Sequence, residues 1–356
     1  MREIQVGLLG YGMAGQTFHA PILTTVPGLK LTKVMERHGE KAKERYPYVT
    51  VVRDTADILQ DRDIELVVVA TPNYTHYEFA KKALQAGKHV VVDKPFTVTS
   101  EEAKELIELA YQKNRCITAF QNRRWDGDFL TVQKVLAANL LGRVVEYECH
   151  YDRYMNYLRT STWKESNEGG AGILYDLGSH LIDQALTLFG LPIEITADVR
   201  KQRDNTANDD QFEVVLHYEK LKVTLKAGML VREPGPHFQI MGTEGSFIKF
   251  GLDPQEAALK KGLSPSEDPL WGSEPKDAWG TLNTEVNSLH FIGRIETVPG
   301  NYRMFYQNIY DAIEHQADLM VKPEDALKTI RVIELALLSN KEKRTVEFSL
   351  ARLSHP

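Results

Sequence analysis

The sequence predicts two domains of different class. The first is an α/β domain on a doubly wound parallel sheet. The second is an α+β domain with a mostly antiparallel, open-faced sheet. Three observations carry this. The chain has 356 residues, more than one core usually holds. Up to about residue 121, apolar runs alternate regularly with helix-compatible stretches. Beyond that point, amphipathic strands follow one another with turn residues between them. A boundary at 123/124 divides the chain into residues 1–123 and 124–356.

The first strand is the apolar run from Gln5, and it ends in the G-x-G-x-x-G turn of Gly10, Gly12 and Gly15, followed by a helix-compatible stretch. In a strand–turn–helix unit the first glycine allows the tight turn. The second lets backbone approach a pyrophosphate, and the third lets helix pack on strand. Gly10, Gly12, Met13, Ala14 and Gly15 are therefore expected around the phosphates, at a helix N-terminus. Leu29–Met35 reads as the second strand. Glu36 ends it about twenty residues beyond Gly15, where a carboxylate accepts hydrogen bonds from an adenosine ribose.

Ile64–Ala70 is a buried-type parallel strand, with a helix from about Tyr74 to Ala86 stopped by Gly87. His89–Asp93 is the next strand, Ser100 reads as the N-cap of a helix to about Lys113, and Cys116–Phe120 follows as a strand. Ligands on such sheets bind at the carboxyl ends of the strands. Thr71, Pro72, Asn73, Asp93, Lys94 and Gln121 fall there, on the rim of Gly10.

In the second domain a helix over about 126–138 precedes a strand over 143–151. Further strands are expected over 193–199, 212–218, 222–228 and 238–241, with turns at Glu219-Lys220 and Thr243–Gly245. One sheet face is expected under helices and the other, taken as apolar, against a second subunit. Residues 251–280 are rich in Pro, Gly, Ser and charge, and too long for a plain connection. Helices over about 302–315 and 324–339 and a strand over 344–348 close the chain.

Composition is ordinary at 42% hydrophobic and 26% charged, and the net charge of −6 gives no basic surface for nucleic acid. No apolar run reaches membrane-spanning length, and the first residues lack a signal-peptide pattern. The two cysteines, Cys116 and Cys149, lack metal spacing and read as reduced thiols of a cytoplasmic protein. No metal site is expected.

Three constellations carry chemistry. Lys94 lies at the ligand rim, where burial or a neighbouring cation lowers a lysine pKa and suits it to proton transfer, or else it is a plain surface lysine. Pro95 after it fixes the local turn. Asp176 and His180 are four apart on a helix after the glycine-rich stretch 169–172, a spacing that serves either an acid–base pair or an ordinary surface pair. Phe120–Asp126 contains amides and guanidinium groups, which suit hydroxyl or phosphate binding and equally suit a salt-bridged hinge.

Together these residues resemble the Gfo/Idh/MocA oxidoreductases. The resemblance rests on the glycine turn, the T-P-N-x-x-H element from Thr71 to His76, the x-K-P of Asp93–Pro95, the D-x-x-x-H helix and the antiparallel second domain. Gly15–Pro21, Asn122–Asp126, Tyr175–Gln184 and Gly242–Gly251 are similar to the scyllo-inositol dehydrogenase branch. The resemblance implies a catalytic set of Lys94, Asp176 and His180, and a cofactor set that adds Arg37 and His76. A cyclitol or sugar substrate would meet Lys94, Asn122, Arg123, Tyr154, Trp163, Asp176 and His180. Tyr151, Arg153 and the 251–280 segment are further candidates for specificity. Asp93 stands where the family most often has Glu, and Glu36 where NADP-preferring relatives carry a small hydroxyl residue. NAD is thus the expected cofactor, with NADP as the other choice, and a homodimer or homotetramer is expected through the C-terminal sheet. Two rival activities share the scaffold: an NAD-dependent glycoside hydrolase, and a non-catalytic regulator that binds NAD or sugar.

Overall fold

The computed structural model describes residues 2–159, 163–165 and 168–350. Two compact units emerge. The first comprises Met1–Trp125 together with Pro254–Gly272 and Asn301–Leu327, and the second comprises Asp126–Asp253, Ser273–Gly300 and Lys328–Pro356.

The first unit holds six parallel strands: β1 (Ile4–Leu9), β2 (Leu29–Met35), β3 (Thr50–Val52), β4 (Ile64–Val69), β5 (His89–Val92) and β6 (Ile117–Ala119). Their order is β3-β2-β1-β4-β5-β6, so the winding reverses between β1 and β4, the place where such sheets open a ligand crevice. Val6, Leu8, Leu9, Val67, Val68 and Val69 are fully buried, which is why these strands read as unbroken apolar runs rather than alternating ones. The helix Ser100–Lys113 starts one residue earlier than Ser100 suggests. Thr99 is its N-cap, with Thr99 Oγ1 accepting from Glu102 N and the Glu102 carboxylate accepting from Thr99 N.

Two later segments join this unit through one buried side chain. Gln255 Nε2 donates to the Trp125 carbonyl at 3.1 Å, while its Oε1 accepts from Tyr302 N and Trp271 Nε1, both at 2.9 Å. Tyr302, Phe305, Tyr306 and Ile309 then pack into the same core as β1 and β2. The 251–280 stretch is therefore partly helical, over Gln255–Lys260, and tied down.

The second unit holds nine strands: β7 (Val144–His150), β8 (Glu194–Arg200), β9 (Gln211–His217), β10 (Lys222–Gly228), β11 (Phe238–Gly242), β12 (Gly245–Lys249), β13 (Gly280–Val286), β14 (Leu289–Ile295) and β15 (Val346–Glu347). Among the described residues of this unit only the β7–β10 pairing is parallel. The β13–β14 hairpin is absent from the sequence expectation. Its turn is Asn287-Ser288, both with positive φ, the backbone form that matches strand twist in a two-residue hairpin. The face expected to be apolar is instead charged. Alternate positions of β7, β9 and β10 carry Glu146, Glu148, His150, Glu213, Lys222 and Lys226, linked by the pairs Lys222–Glu146 and Lys226–Glu213. Exposed apolar side chains gather on β13–β14, where Leu289 is 73% exposed and Ile292 62%.

A cluster of ionisable groups is buried in this unit. Asp128 Oδ1 accepts from Phe129 N, and its Oδ2 lies 3.5 Å from His237 Nε2. His237 Nδ1 donates to the His150 carbonyl at 2.6 Å. The Lys249–Glu274 pair is buried nearby, and Asp253 accepts from Gly127 N. Burial, then the Asp253 charge, push Asp128 up to about 7 against the pull of Lys249. Between about pH 4 and pH 7 the folded state thus holds a proton that the unfolded state has released, and this group's contribution to stability falls as pH rises. Asp128→Asn keeps the acceptor for Phe129 N and removes the charge. The melting temperature of this variant is expected a few degrees above wild type at pH 8, with the gap closing at pH 5; a gap independent of pH would refute the assignment.

Candidate active site

Crowding at the end of β1 builds the first part of the site. Gly10 has φ +97°, and a Cβ there would lie 2.6 Å from the Ala70 carbonyl at the end of β4. A Cβ on Gly15 would lie 2.2 Å from the Gly10 carbonyl, so the helix begins directly against the turn. A Cβ on Gly12 would meet nothing within 4 Å. The middle of the turn is bare backbone facing open space, which fits the pyrophosphate of a dinucleotide. Met13, beside it, is exposed. The helix starts at Met13 and widens into one π-helical turn over Gly15–His19, a wide turn common at functional sites.

Glu36 occupies the expected position, but its carboxylate faces the following loop. Oε1 accepts from Ala42 N at 2.8 Å and Oε2 from Lys41 N at 3.1 Å, at the start of the short helix Lys41–Arg45. The side chain is 6% exposed. A negative charge thus stands rigidly at the end of β2, already engaged by two amides, and Arg37 follows on the surface.

The Thr71–His76 element is an interlocked turn. Thr71 Oγ1 and Thr75 Oγ1 are 2.7 Å apart, and Thr75 Oγ1 donates to the Pro72 carbonyl. Pro72 leads into the short turn that begins at buried Asn73. His76 is fully buried, which differs from its expected place among cofactor contacts. Its Nε2 lies 2.9 Å from the Thr71 carbonyl and its Nδ1 2.8 Å from the Pro95 carbonyl. The ring therefore fixes the loops after β4 and β5 relative to each other. Burial pushes its pKa down, against Asp93 and both carbonyls.

Asp93 and Lys94 are half-buried at the end of β5, before a cis Lys94–Pro95 bond. Asp93 Oδ1 accepts from Lys94 N at 2.8 Å and lies 3.5 Å from His19 Nε2. His19, 0% exposed, meets the Tyr306 hydroxyl through Nδ1 at 2.7 Å. Burial pushes Asp93 up, but His19, Lys94 and His76 outweigh it and hold the carboxyl below its ordinary value. Burial and the Asp93 charge push Tyr306 well up, so its phenol stays protonated and able to donate to His19. Sequence reasoning missed both partners. His19 lies one turn beyond Gly15, a visible signal; Tyr306 comes from 287 residues away with none.

Gln121, Asn122 and Arg123 are buried after β6. Arg123 pairs with Glu256, and Arg124 with Asp325 at 3.2 Å and the Met320 carbonyl at 2.8 Å. Both guanidinium groups are thus paired with later segments of the first unit.

In the second unit, Asp176 sits on another π-helical turn, Leu174–Gly178, which runs directly into the helix Ser179–Phe189 carrying His180. His180 is 4% exposed. Asp209 holds the approach: its Oδ2 accepts from Leu174 N at 2.8 Å and its carbonyl from Ile173 N. Gly172, at φ +97°, leaves no room for a side chain beside Asp209. Burial pushes Asp209 up to about 6, against those amides. Lys164, unflagged by the sequence, donates to both Asp176 oxygens at 3.0 Å. Trp163 starts the same short turn. Tyr151 is buried, while Tyr154 is exposed beneath the Arg232 guanidinium, 4.0 Å from its ring centre. Arg153 lies over the Tyr151 ring at 5.7 Å.

Among the described residues no group of three or more His, Cys, Asp or Glu side chains is placed to hold a metal ion. No helix there is long and apolar enough to cross a membrane.

Residues 4–121 match the oxidoreductase family model GFO_IDH_MocA, described as an NAD-binding Rossmann fold, and residues 133–348 match its C-terminal alpha/beta domain. The chain is 42% identical to the oxidoreductase YdgJ of Escherichia coli, over 97% of this chain and 98% of that one. It is 41% identical to the scyllo-inositol 2-dehydrogenase (NADP(+)) IolW of Bacillus subtilis, over 96% and 95% respectively. The solved structure of the oxidoreductase yvaA from Bacillus subtilis superposes with a TM-score of 0.95 at 41% identity, covering 98% of this chain and 99% of that one.

The glycine geometry makes a paired prediction. Gly12→Ala is expected to weaken dinucleotide binding at least about tenfold with little change in melting temperature, because its methyl enters only open space. Gly15→Ala should lower both, because the turn itself must move. Binding read by reduced-nicotinamide fluorescence, with thermal melts of both variants, checks this; equal melting losses would contradict it.

Proposed function

The chain belongs to the Gfo/Idh/MocA oxidoreductase family as an NAD(P)-dependent dehydrogenase, and from that premise we propose that it oxidises a hydroxyl group of a cyclitol or sugar. The observation that carries the reading is the half-buried Lys94 at the end of β5, on the same strand rim as the bare Gly12 turn. The inositol dehydrogenase relative supports the substrate class.

Gly10, Gly12, Met13, Ala14 and Gly15 would hold the pyrophosphate, and Thr71, Pro72, Asn73, Asp93 and Gln121 the rest of the rim. When bound, the nicotinamide supplies a hydride acceptor. His180, assisted by Lys94, takes the hydroxyl proton as the carbinol is oxidised. Asp176 anchors a neighbouring hydroxyl. Asp93, held ionised by His19, fixes the backbone amide of Lys94. Asn122, Tyr154 and Trp163 complete the substrate contacts, whereas Arg123 is paired with Glu256.

NAD is the proposed cofactor. The Glu36 carboxylate is locked by two amides, so it cannot swing away from a 2′-phosphate, yet a carboxylate has about four acceptor positions and can still receive a ribose hydroxyl. We place the protein in the cytoplasm and assign it a homodimeric or homotetrameric state through the second unit's sheet. The exposed apolar β13–β14 hairpin supports such an association.

Absorbance of reduced nicotinamide with a panel of cyclitols and aldoses, run with NAD⁺ and NADP⁺ in parallel, tests the reading. A hydrolase would instead release free sugar without net cofactor reduction, and a regulator would bind cofactor and sugar silently. Lys94→Met and His180→Ala should each lower kcat by about 10²-fold or more while cofactor binding persists; near-full turnover would remove the residue from the mechanism. Glu36→Ser should shift the NADP⁺ to NAD⁺ ratio of kcat/KM upward by at least about tenfold, and an unchanged ratio would discard Glu36 as the discriminator.

A further inference from the structure

A lysine–carboxylate pair that solvent still reaches adds little to folding stability, yet the half-buried Lys164–Asp176 pair is held from several sides. Lys164 Nζ lies 3.0 Å from each Asp176 oxygen, with the two side chains 31% and 27% exposed. Three consecutive residues hold the segments that carry them, two of them directly at the backbone. Asn208 Nδ2 donates to the Lys164 carbonyl at 3.1 Å. Asp209 holds Leu174 N and Ile173 N, at the entry to the turn of Asp176. Asp210, with a fully buried side chain, accepts from Arg203 Nε at 2.9 Å, and Arg203 pairs with Glu165 next to Lys164. One tripeptide thus sets both partners, the arrangement expected of a site held ready for a ligand rather than of an incidental ion pair.

We propose that Lys164 is a specificity residue, and that Lys164 and Asp176 together read two neighbouring hydroxyl groups of the substrate. The carboxylate accepts from one hydroxyl, and the ammonium donates to the oxygen of the next. Gauche neighbouring hydroxyl oxygens stand about one hydrogen-bond length apart, which matches the 3.0 Å between ammonium and carboxylate. Trans-diaxial neighbours are too far apart to engage both. The substrate class is therefore a polyol with a gauche vicinal diol adjoining the oxidised carbon. This rests on the dehydrogenase reading of the preceding subsection.

The test compares wild type, Lys164→Met and Lys164→Gln on the best polyol from the panel and on its deoxy analogues lacking one hydroxyl next to the oxidised carbon. For the parent polyol, K164M and K164Q should lower kcat/KM by about 10- to 100-fold, mainly through KM, as expected for a charged hydrogen bond. For one deoxy analogue the same substitutions should cost less than about threefold, because the partner hydroxyl is already gone. Lys164→Arg should restore most of the parent rate, since its guanidinium also bridges a carboxylate. Losses that multiply independently for every analogue, or variants indistinguishable from wild type, would overturn the role of Lys164 while leaving the dehydrogenase intact. Wild type that reduces neither cofactor with any polyol would sink the dehydrogenase reading and this inference with it.

Discussion

The contact between Gly15 and the Gly10 carbonyl governs the first unit. β1 stops at Leu9, the turn after it lies against the end of β4, and the helix packs back on that turn. Gly10 in turn lies against the Ala70 carbonyl after β4, and Gly12 is left as bare backbone facing outward. A side chain at Gly10 would meet the Ala70 carbonyl after β4, and one at Gly15 would meet the Gly10 carbonyl, so the turn admits neither.

Around this rim the molecule relies on buried polar side chains to fix loops. His76 spans the carbonyls of Thr71 and Pro95, the Glu36 carboxylate takes the amides of Lys41 and Ala42, and Gln255 joins Trp125, Trp271 and Tyr302. Asp209 does the same for the approach to Asp176 in the second unit. A buried polar group lacking partners is costly, so each such residue admits few alternative loop conformations. The Asp93–His19–Tyr306 chain extends the device toward chemistry: a carboxylate next to Lys94 is held ionised by a histidine whose other nitrogen meets a phenol.

Much of this was legible along the chain. The parallel sheet followed from valine-rich runs bounded by Gly and Pro, and the rim from residues at strand ends. The D-x-x-x-H spacing placed Asp176 and His180 on one helical stretch. The β13–β14 hairpin was missed although Asn287-Ser288 between alternating runs marks it. The charged sheet face was misjudged because hairpin alternation specifies which residues face outward, whereas Glu146, Glu148, Lys222 and Lys226 had to be read individually at those positions.

The sequence by itself determined the class of each domain, the dinucleotide turn and the position of each candidate side chain along its strand or helix, because periodicity and glycine placement are local properties. Only the tertiary structure decided which way those side chains face. Glu36 turns to its own loop because two amides await it five and six residues on. Arg123 is neutralised by Glu256, 133 residues away, and Asp176 is gripped by Lys164 from a turn whose hold depends on residues 208–210. Such partners are chosen by burial and hydrogen-bond satisfaction across long separations, and spacing along the chain does not encode them.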